Sequence, residues 1–364
     1  MTMPLILYII LCFLGLIALV GGWYVWRSRW MRRAIRITTP NGIDEEEYLD
    51  LDGTKHYLCH RGHDRNHPVL LFLHGGPGAS LVPFLHGFQR PWEDLVTVVH
   101  WDQQGAGKTA LANHPLDKIN DISLEQAMQD LERVVGHIKE KYGKNRIFLM
   151  GYSWGTVLAD AYVRLHPEDV ISYFGITPLI DMQANESWAY EHMVDVLMSK
   201  KNSNDQTALF QLAPYPSEVF DEVMMHKLHT LRSLQMKYQQ GKGSQARMLT
   251  LLFTSPYLTY DEYRSTQNPL FYQTQLPLLQ YMYSTFRLTP EQAHYEVPLY
   301  YFWGEQDRQN SPQLIADYFA VIQAPAKGGF PLPEGGHLPF LDDTIHFNEV
   351  FVPLLQRLVS EHHS

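Results

Sequence analysis

Cysteine is scarce: Cys12 and Cys59 are the two in 364 residues. Cys12 lies inside an apolar run, so a disulfide framework does not hold this chain together. There is no C-x-x-C pair, no clustered Cys/His spacing and no H-E-x-x-H, and the 18 histidines are scattered. Zinc is therefore not expected, nor any other metal or cofactor. Positive charge is also in short supply. With 39 acidic against 29 basic residues and a net charge of -10, the chain lacks the basic balance that nucleic acid requires of a partner. Internal repeats and low-complexity tracts are absent. Charged residues make up 19% against 45% hydrophobic, which suits a sizeable core and excludes global disorder. The length fits one large domain with an insertion, or two smaller ones.

Charge is missing altogether from Pro4 to Trp26. About 20 such residues span a bilayer. Trp23, Tyr24 and Trp26 sit at one end of the run, as interfacial aromatics do, and Arg27, Arg29, Arg32, Arg33 and Arg36 follow. A cleaved signal peptide carries its positive charge before the apolar run and a small-residue cleavage site after it. Neither is evident. The expectation is a single-pass membrane anchor over residues 1–33, with the rest of the chain on the cytoplasmic side by the positive-inside rule.

Beyond the arginines the pattern is one of buried strands alternating with helices. Glu46 to His60 alternates loosely around Asp52-Gly53, a hairpin signal. Val69–Leu73, Val96–Trp101, Arg146–Met150, Val170–Ile176 and Val297–Trp303 read as buried strands, and Lys327–Leu332 as a weaker one. Leu124–Tyr142 has helical spacing, as do Thr156–Leu165, Pro312–Ala320 and Phe347–Val359. This alternation predicts a mostly parallel sheet wrapped by helices on both faces. From 180 to 294 the rhythm breaks into helical pieces, interrupted at Pro214, Pro216, Gly241, Gly243, Pro256, Pro269 and Pro277. The expected organisation is therefore residues 34–179 and 295–364 as two parts of one core, with 180–294 inserted as a helical cap.

Within that frame, Gly151-Tyr152-Ser153-Trp154-Gly155 stands between a strand and a helix. G-x-S-x-G in this context is a nucleophile elbow, a tight turn that lifts a serine oxygen above the sheet. The alternative is an ordinary strand-to-helix loop with Ser153 as a cap. A serine needs a base, and the base an orienting carboxylate. Ser153, Asp307 and His337 occur in the order this sheet class uses, each just after a predicted strand. Glu305 is a rival acid, and His294 and His346 are rival bases. The developing oxyanion needs donors. The Trp154 amide is one candidate, and Gly75 and Gly76 allow a second to turn inward, with Gly76 favoured. A phosphate-loop reading of Gly105-Ala106-Gly107-Lys108-Thr109 fails, because Asp102 stands where that pattern needs glycine.

Taken together, His74-Gly75-Gly76-Pro77-Gly78, Asp102-Gln103-Gln104-Gly105-Ala106-Gly107, the elbow, Gly304 with Asp307, and Gly336-His337-Leu338-Pro339-Phe340 resemble the α/β-hydrolase superfamily, in its proline iminopeptidase-like branch. The resemblance spans about residues 44–360. It implies the α/β-hydrolase fold with a helical cap over the site, the triad and oxyanion roles above, a loop-bracing role for Asp102, and Trp154 also lining the pocket. It further implies aminopeptidase activity on an N-terminal proline or another small residue, with a cap carboxylate to hold the ammonium group. Glu186 is the candidate, with Glu191 and Glu262 behind it and Gly75 beside the substrate. Gln104 and Lys108 depart from the family's usual basic pattern and leave the substrate open. An esterase of small esters or amides would use the same triad without that carboxylate, and a non-catalytic tethered binding module would have lost a triad member. Epoxide hydrolases and haloalkane dehalogenases share the fold but use an aspartate where Ser153 stands.

Overall fold

A computed structural model describes residues 3–115, 122–200, 202–238, 245–265 and 274–363. The apolar stretch forms α1 (Met3–Ala34). Its span Leu7–Ala34 is long and apolar enough to cross a membrane, with a mean hydropathy of 2.2 and none of its most apolar window buried against the domain. The hairpin β1 (Ile43–Leu51) and β2 (Thr54–Gly62) turns at Asp52-Gly53, both at positive φ. Then come β3 (Val69–Leu73), β4 (Thr97–Asp102), α2 (Gly107–Ala112), α3 (Leu124–Tyr142), β5 (Ile147–Tyr152), α4 (Trp154–Leu165) and β6 (Val170–Ile176). Among the described residues six α-helices follow before the sheet resumes: α5 (Met182–Met198), α6 (Ser203–Phe210), α7 (Glu222–Lys237), α8 (Gln245–Thr254), α9 (Tyr260–Ser265) and α10 (Leu276–Ser284). The chain closes with β7 (Leu299–Gly304), α11 (Pro312–Val321), β8 (Lys327–Leu332), α12 (Pro339–Asp342) and α13 (Thr344–His363).

The eight strands lie in the order β1-β2-β4-β3-β5-β6-β7-β8. β1 and β2 pair antiparallel with each other, and β2 antiparallel with β4; every later pairing is parallel. β3 has no exposed residue because both faces are covered, as parallel sheets require. Leu71 and Leu73 join one core layer with α3, α4 and α11. Leu70 and Phe72, pointing the other way, join a second layer with α13. Local chemistry sets the helix ends. Ser123 caps α3 by accepting from the Gln126 amide at 3.1 Å, and Gly143 at φ +61° ends it.

Some ends differ from the sequence reading. α4 begins at Trp154, directly after the elbow serine, rather than at Thr156. β7 begins at Leu299, because Pro298 has no amide to give the ladder and contributes only its carbonyl, to Tyr173. α13 runs from Thr344 to His363, longer than 347–359. The breaks expected at Gly241, Gly243 and Pro269 lie outside the described residues.

Arg61 on β2 ties this frame to what surrounds it. Its guanidinium reaches Glu93 at 2.8 Å, Asp44 at 2.6 Å, the Tyr257 hydroxyl at 2.7 Å and the Ile35 carbonyl at 2.6 Å. Burial opposes its charge, but Glu93 and its other partners more than offset this and hold its pKa above the ordinary value. Removing one partner of a buried pair costs about 3–5 kcal/mol, because the other charge is stranded. Arg61→Met should therefore lower the unfolding free energy by about that amount in urea titrations of the detergent-solubilised chain, and adding Glu93→Gln should recover part of the loss. A loss under about 1 kcal/mol would mean that Gln89, which already donates to Glu93, suffices as its partner.

Candidate active site

Three backbone approaches assemble the carboxyl edge of the sheet. At Gly155 a Cβ would overlap the Leu73 carbonyl oxygen, and at Gly151 it would overlap the Gly155 backbone. At Gly304 a Cβ would overlap the backbone of Gly335 and Gly336, so the end of β7 and the histidine loop touch directly. Between the first two glycines Ser153 takes φ +50° and ψ -118°, which an L-residue rarely adopts. Its amide donates to the Ile176 carbonyl at 3.0 Å, tying the strained turn to β6.

Asp307 and His337 meet across the same edge. Their Oδ2 and Nδ1 are 2.9 Å apart, with both side chains nearly buried. The other carboxylate oxygen, Oδ1, accepts from the amides of Gln309 at 2.7 Å and Asn310 at 3.1 Å. The carboxylate is thus held at both oxygens, and an imidazole bound through Nδ1 keeps Nε2 for a second partner. Glu305 is exposed, His294 is exposed, and His346 lies beside Asp343, so none of the three rivals enters this pair. The His337 ring also packs on Tyr152, the residue before Ser153, with centroids 5.4 Å apart.

Gly76 sits at φ +117°, where a Cβ would collide with the Gly78 and Ala79 amides. The amides of Gly76 and Trp154 are used in no backbone hydrogen bond among the described residues. At Gly75 a Cβ would lie 3.2 Å from that of Ser153 and 2.8 Å from the Tyr152 ring, so only glycine leaves the space over the serine open. Trp154 departs from expectation. Its side chain is fully buried, donating from Nε1 to Gln103 Oε1 at 2.9 Å, and does not line the cavity. Gln103 in turn donates to the His74 carbonyl at 3.1 Å, and its amide meets His74 Nε2 at 3.1 Å. Burial pushes His74 down to about 4, so it is neutral and serves as a brace. Asp102 Oδ2 accepts from the Lys108 amide at 2.8 Å and holds the next turn.

A cavity of about 500 Å³ lies between the Gly76–Phe84 loop and helices α7, α8, α9 and α10. Its walls are chiefly apolar, with Arg232 and Glu262 as the charged members. Glu186 is fully buried on α5 rather than facing solvent, and its carboxylate is already taken by Arg232 and the Tyr215 hydroxyl. Glu191 is exposed. Glu262 is buried in the cavity wall, and burial raises its pKa. Residues not singled out in the sequence hold the acid loop to the inserted helices. Asn185 donates to the Gln309 carbonyl at 2.6 Å, and Gln235 donates to the Arg308 carbonyl. No local pattern marks them, since each partner lies more than 70 residues away.

Asp342 is the other residue that sequence reasoning missed. Its Oδ2 accepts from the amides of Gly336 at 3.0 Å and Leu338 at 3.2 Å, gripping the loop on both sides of His337. An acid five residues after the histidine, at the end of the short helix α12, was the available signal.

A family model described as the alpha/beta hydrolase fold matches residues 68–344, and the chain belongs to that family. It is a hydrolytic enzyme of the serine-hydrolase type. A probable aminopeptidase of Bacillus subtilis (strain 168) is 26% identical over 303 residues, 81% of this chain and 91% of that protein. The proline iminopeptidase of Neisseria gonorrhoeae is 37% identical over 101 residues, 28% of this chain and 29% of that one. Similarity to that enzyme therefore spans under a third of its length. The solved structure of a proline iminopeptidase-related protein from Thermus thermophilus shares the fold, with a TM-score of 0.63 at 20% identity over 87% of this chain and 99% of that one.

Burial pushes the Asp342 carboxyl up from 3.8 to about 7. A raised folded pKa means that the stability from the neutral form is complete below about 4 and lost as pH rises through about 7. Asp342→Asn keeps an oxygen for both amides and removes the titration. Urea unfolding should find the variant gaining on the wild type between pH 5 and pH 8. A difference independent of pH would mean that the two amides hold the carboxylate ionised throughout.

Proposed function

We propose that Ser153, His337 and Asp307 act as a catalytic triad and that the enzyme is an acyl hydrolase working through an acyl-enzyme. The observation that carries this is the 2.9 Å contact of Asp307 with His337, on the sheet edge that also bears the strained Ser153 turn. In this reading Ser153 Oγ adds to the substrate carbonyl as His337 Nε2 takes its proton. The Gly76 and Trp154 amides receive the charge on the carbonyl oxygen. The tetrahedral intermediate then collapses, expelling the leaving group, which takes the proton from His337. Water repeats the sequence and frees Ser153 and the acid. Asp307 fixes the tautomer and stabilises the imidazolium.

The cavity favours an ester or amide with an apolar group over an N-terminal ammonium, because the Glu186 carboxylate is spent on Arg232. Aminopeptidase activity is the second reading. It is favoured by Glu262 in the cavity wall and by similarity to the B. subtilis protein along most of both chains. In either case residues 180–294 serve as the cap over the site. Residues 1–33 are a single-pass anchor, and the arginines after it place the hydrolase on the cytoplasmic side.

Two assays on the detergent-solubilised chain separate these readings: a short-chain nitrophenyl ester and an N-terminal prolyl anilide. Ester turnover without anilide turnover is the expected result. Anilide cleavage lost in Glu262→Gln would establish the aminopeptidase instead. Ser153→Ala should abolish turnover and labelling by a fluorophosphonate probe while leaving the circular dichroism unchanged. Asp307→Asn should lower kcat by up to about 10⁴, by favouring the wrong tautomer. Full activity in Ser153→Ala would remove Ser153 as the nucleophile.

A further inference from the structure

The end of α1 is fixed to the cap. Arg32 donates from Nε to the Pro256 carbonyl at 2.6 Å, just beyond α8. Three residues on, the Ile35 carbonyl accepts from Arg61. Met31 packs on the same core layer as Leu251 of α8. The apolar helix therefore leaves the domain beside α8 and at a set place.

The outer surface there is unusual for a soluble face. Leu249 and Phe253, one turn apart on α8, are 51% and 64% exposed, and Tyr260 on α9 is 74% exposed. Trp30, on the last turns of α1, is exposed as well. Large apolar side chains at this density mark a contact surface, and tyrosine and tryptophan suit the headgroup level of a bilayer. Arg27, Arg29 and Arg33 flank the site, which suits anionic lipid. The inner side of the same segment walls the cavity through Leu252 and Leu258, opposite Phe84, Leu228 and Leu279. One short stretch of chain is thus apolar toward the outside and apolar toward the site.

We infer that the α8–α9 face rests on the leaflet from which α1 emerges and opens the cavity toward it, so that the substrate is an amphiphile with an apolar chain drawn from the bilayer. This rests on reading α1 as a membrane span and Ser153 as the nucleophile. The α1 anchor supplies the proximity, and the Arg32 and Arg61 contacts supply the orientation. The cavity then receives the chain while the ester or amide carbonyl remains at the carboxyl edge of the sheet.

The test uses the full chain in vesicles of phosphatidylcholine and phosphatidylglycerol. In a Cys12→Ser background, Phe253→Cys carries a bimane label; Leu165→Cys, at the exposed end of α4 against the other core layer, is the control. Brominated lipids should quench the label at 253 several-fold more than at 165. Equal quenching would overturn the proposal whatever the activity. In parallel, Leu249→Ser with Phe253→Ser should leave turnover of a soluble short-chain ester unchanged, and slow hydrolysis of a vesicle-borne long-chain ester by about fivefold or more. Equal rates for variant and wild type on the vesicle-borne ester would overturn it, as would a wild type active only on the soluble one. A wild type inactive on every ester would count against the nucleophile instead, and the quenching would still decide the surface.

Discussion

The site depends on backbones coming closer than any side chain allows. Gly151, Gly155 and Gly304 lie where the elbow, the turn after β3 and the loop before His337 meet, and at each a single Cβ would strike a neighbouring main chain. This contact draws the ends of β3, β5 and β7 together, and with them Gly76, Ser153 and Asp307. The strain at Ser153, with φ at +50°, follows from the same constraint. A strand must turn into a helix within one residue, and the amide of Ser153 is anchored on the next strand. Such strain is sustained only where the surroundings over-determine it. Here they do so with β5 and its fully buried parallel neighbours β3 and β6.

Polar contacts then decide what can move. The inserted helices are stitched to the acid loop by Asn185 and Gln235, and Arg308 returns a bond to the Tyr238 carbonyl at 2.6 Å. α5 and α7 are therefore continuous with the loop that carries Asp307. By contrast, α8 and the turn after it meet the rest of the domain through Leu251 against Gly87, the Arg247 bond to Thr344, His86 with Thr254 at 3.2 Å, Arg32 to Pro256 and Arg61 to Tyr257. The α8–α9 segment is therefore tied to α1 and to the sheet rather than to the acid loop.

Much of this was legible because it is local. The alternation of buried strands and helices yields the parallel sheet, and Asp52-Gly53 yields the hairpin register. Ser123 and Gly143 bracket α3 as their cap chemistry requires. The strand at Lys327–Leu332 was harder to see, with two glycines and a proline, yet it pairs along its whole length with β7. Edge position explains this, because an outer strand tolerates proline. The acid and imidazole that meet were legible from chain order, since order in this sheet fixes which strand ends lie together. What escaped was long-range pairing. Nothing near Glu186 announces Arg232, 46 residues on, and a helical glutamate in sequence looks the same whether it faces water or a guanidinium. Trp154 was misplaced for a related reason. Its partner Gln103 comes from a different strand end, and that pairing turns the indole inward.

Arg61 connects these levels. It is a buried charge on an antiparallel strand, far from the serine in sequence, and it bonds at once to the sheet's first hairpin partner, to Tyr257 between α8 and α9, and to the last turn after α1. Apolar residues of similar volume in place of both Arg61 and Glu93 would fill the space about as well, since burying an ion pair gains little net stability. What they would lose is direction. A guanidinium fixes each partner at a set angle through separate N–H bonds, whereas apolar packing leaves them free to slide. Through this one side chain the exit angle of α1, the seat of the α8–α9 segment and the plane of the sheet become a single geometry. The orientation of the site relative to α1 is thereby built into the core rather than left to a linker.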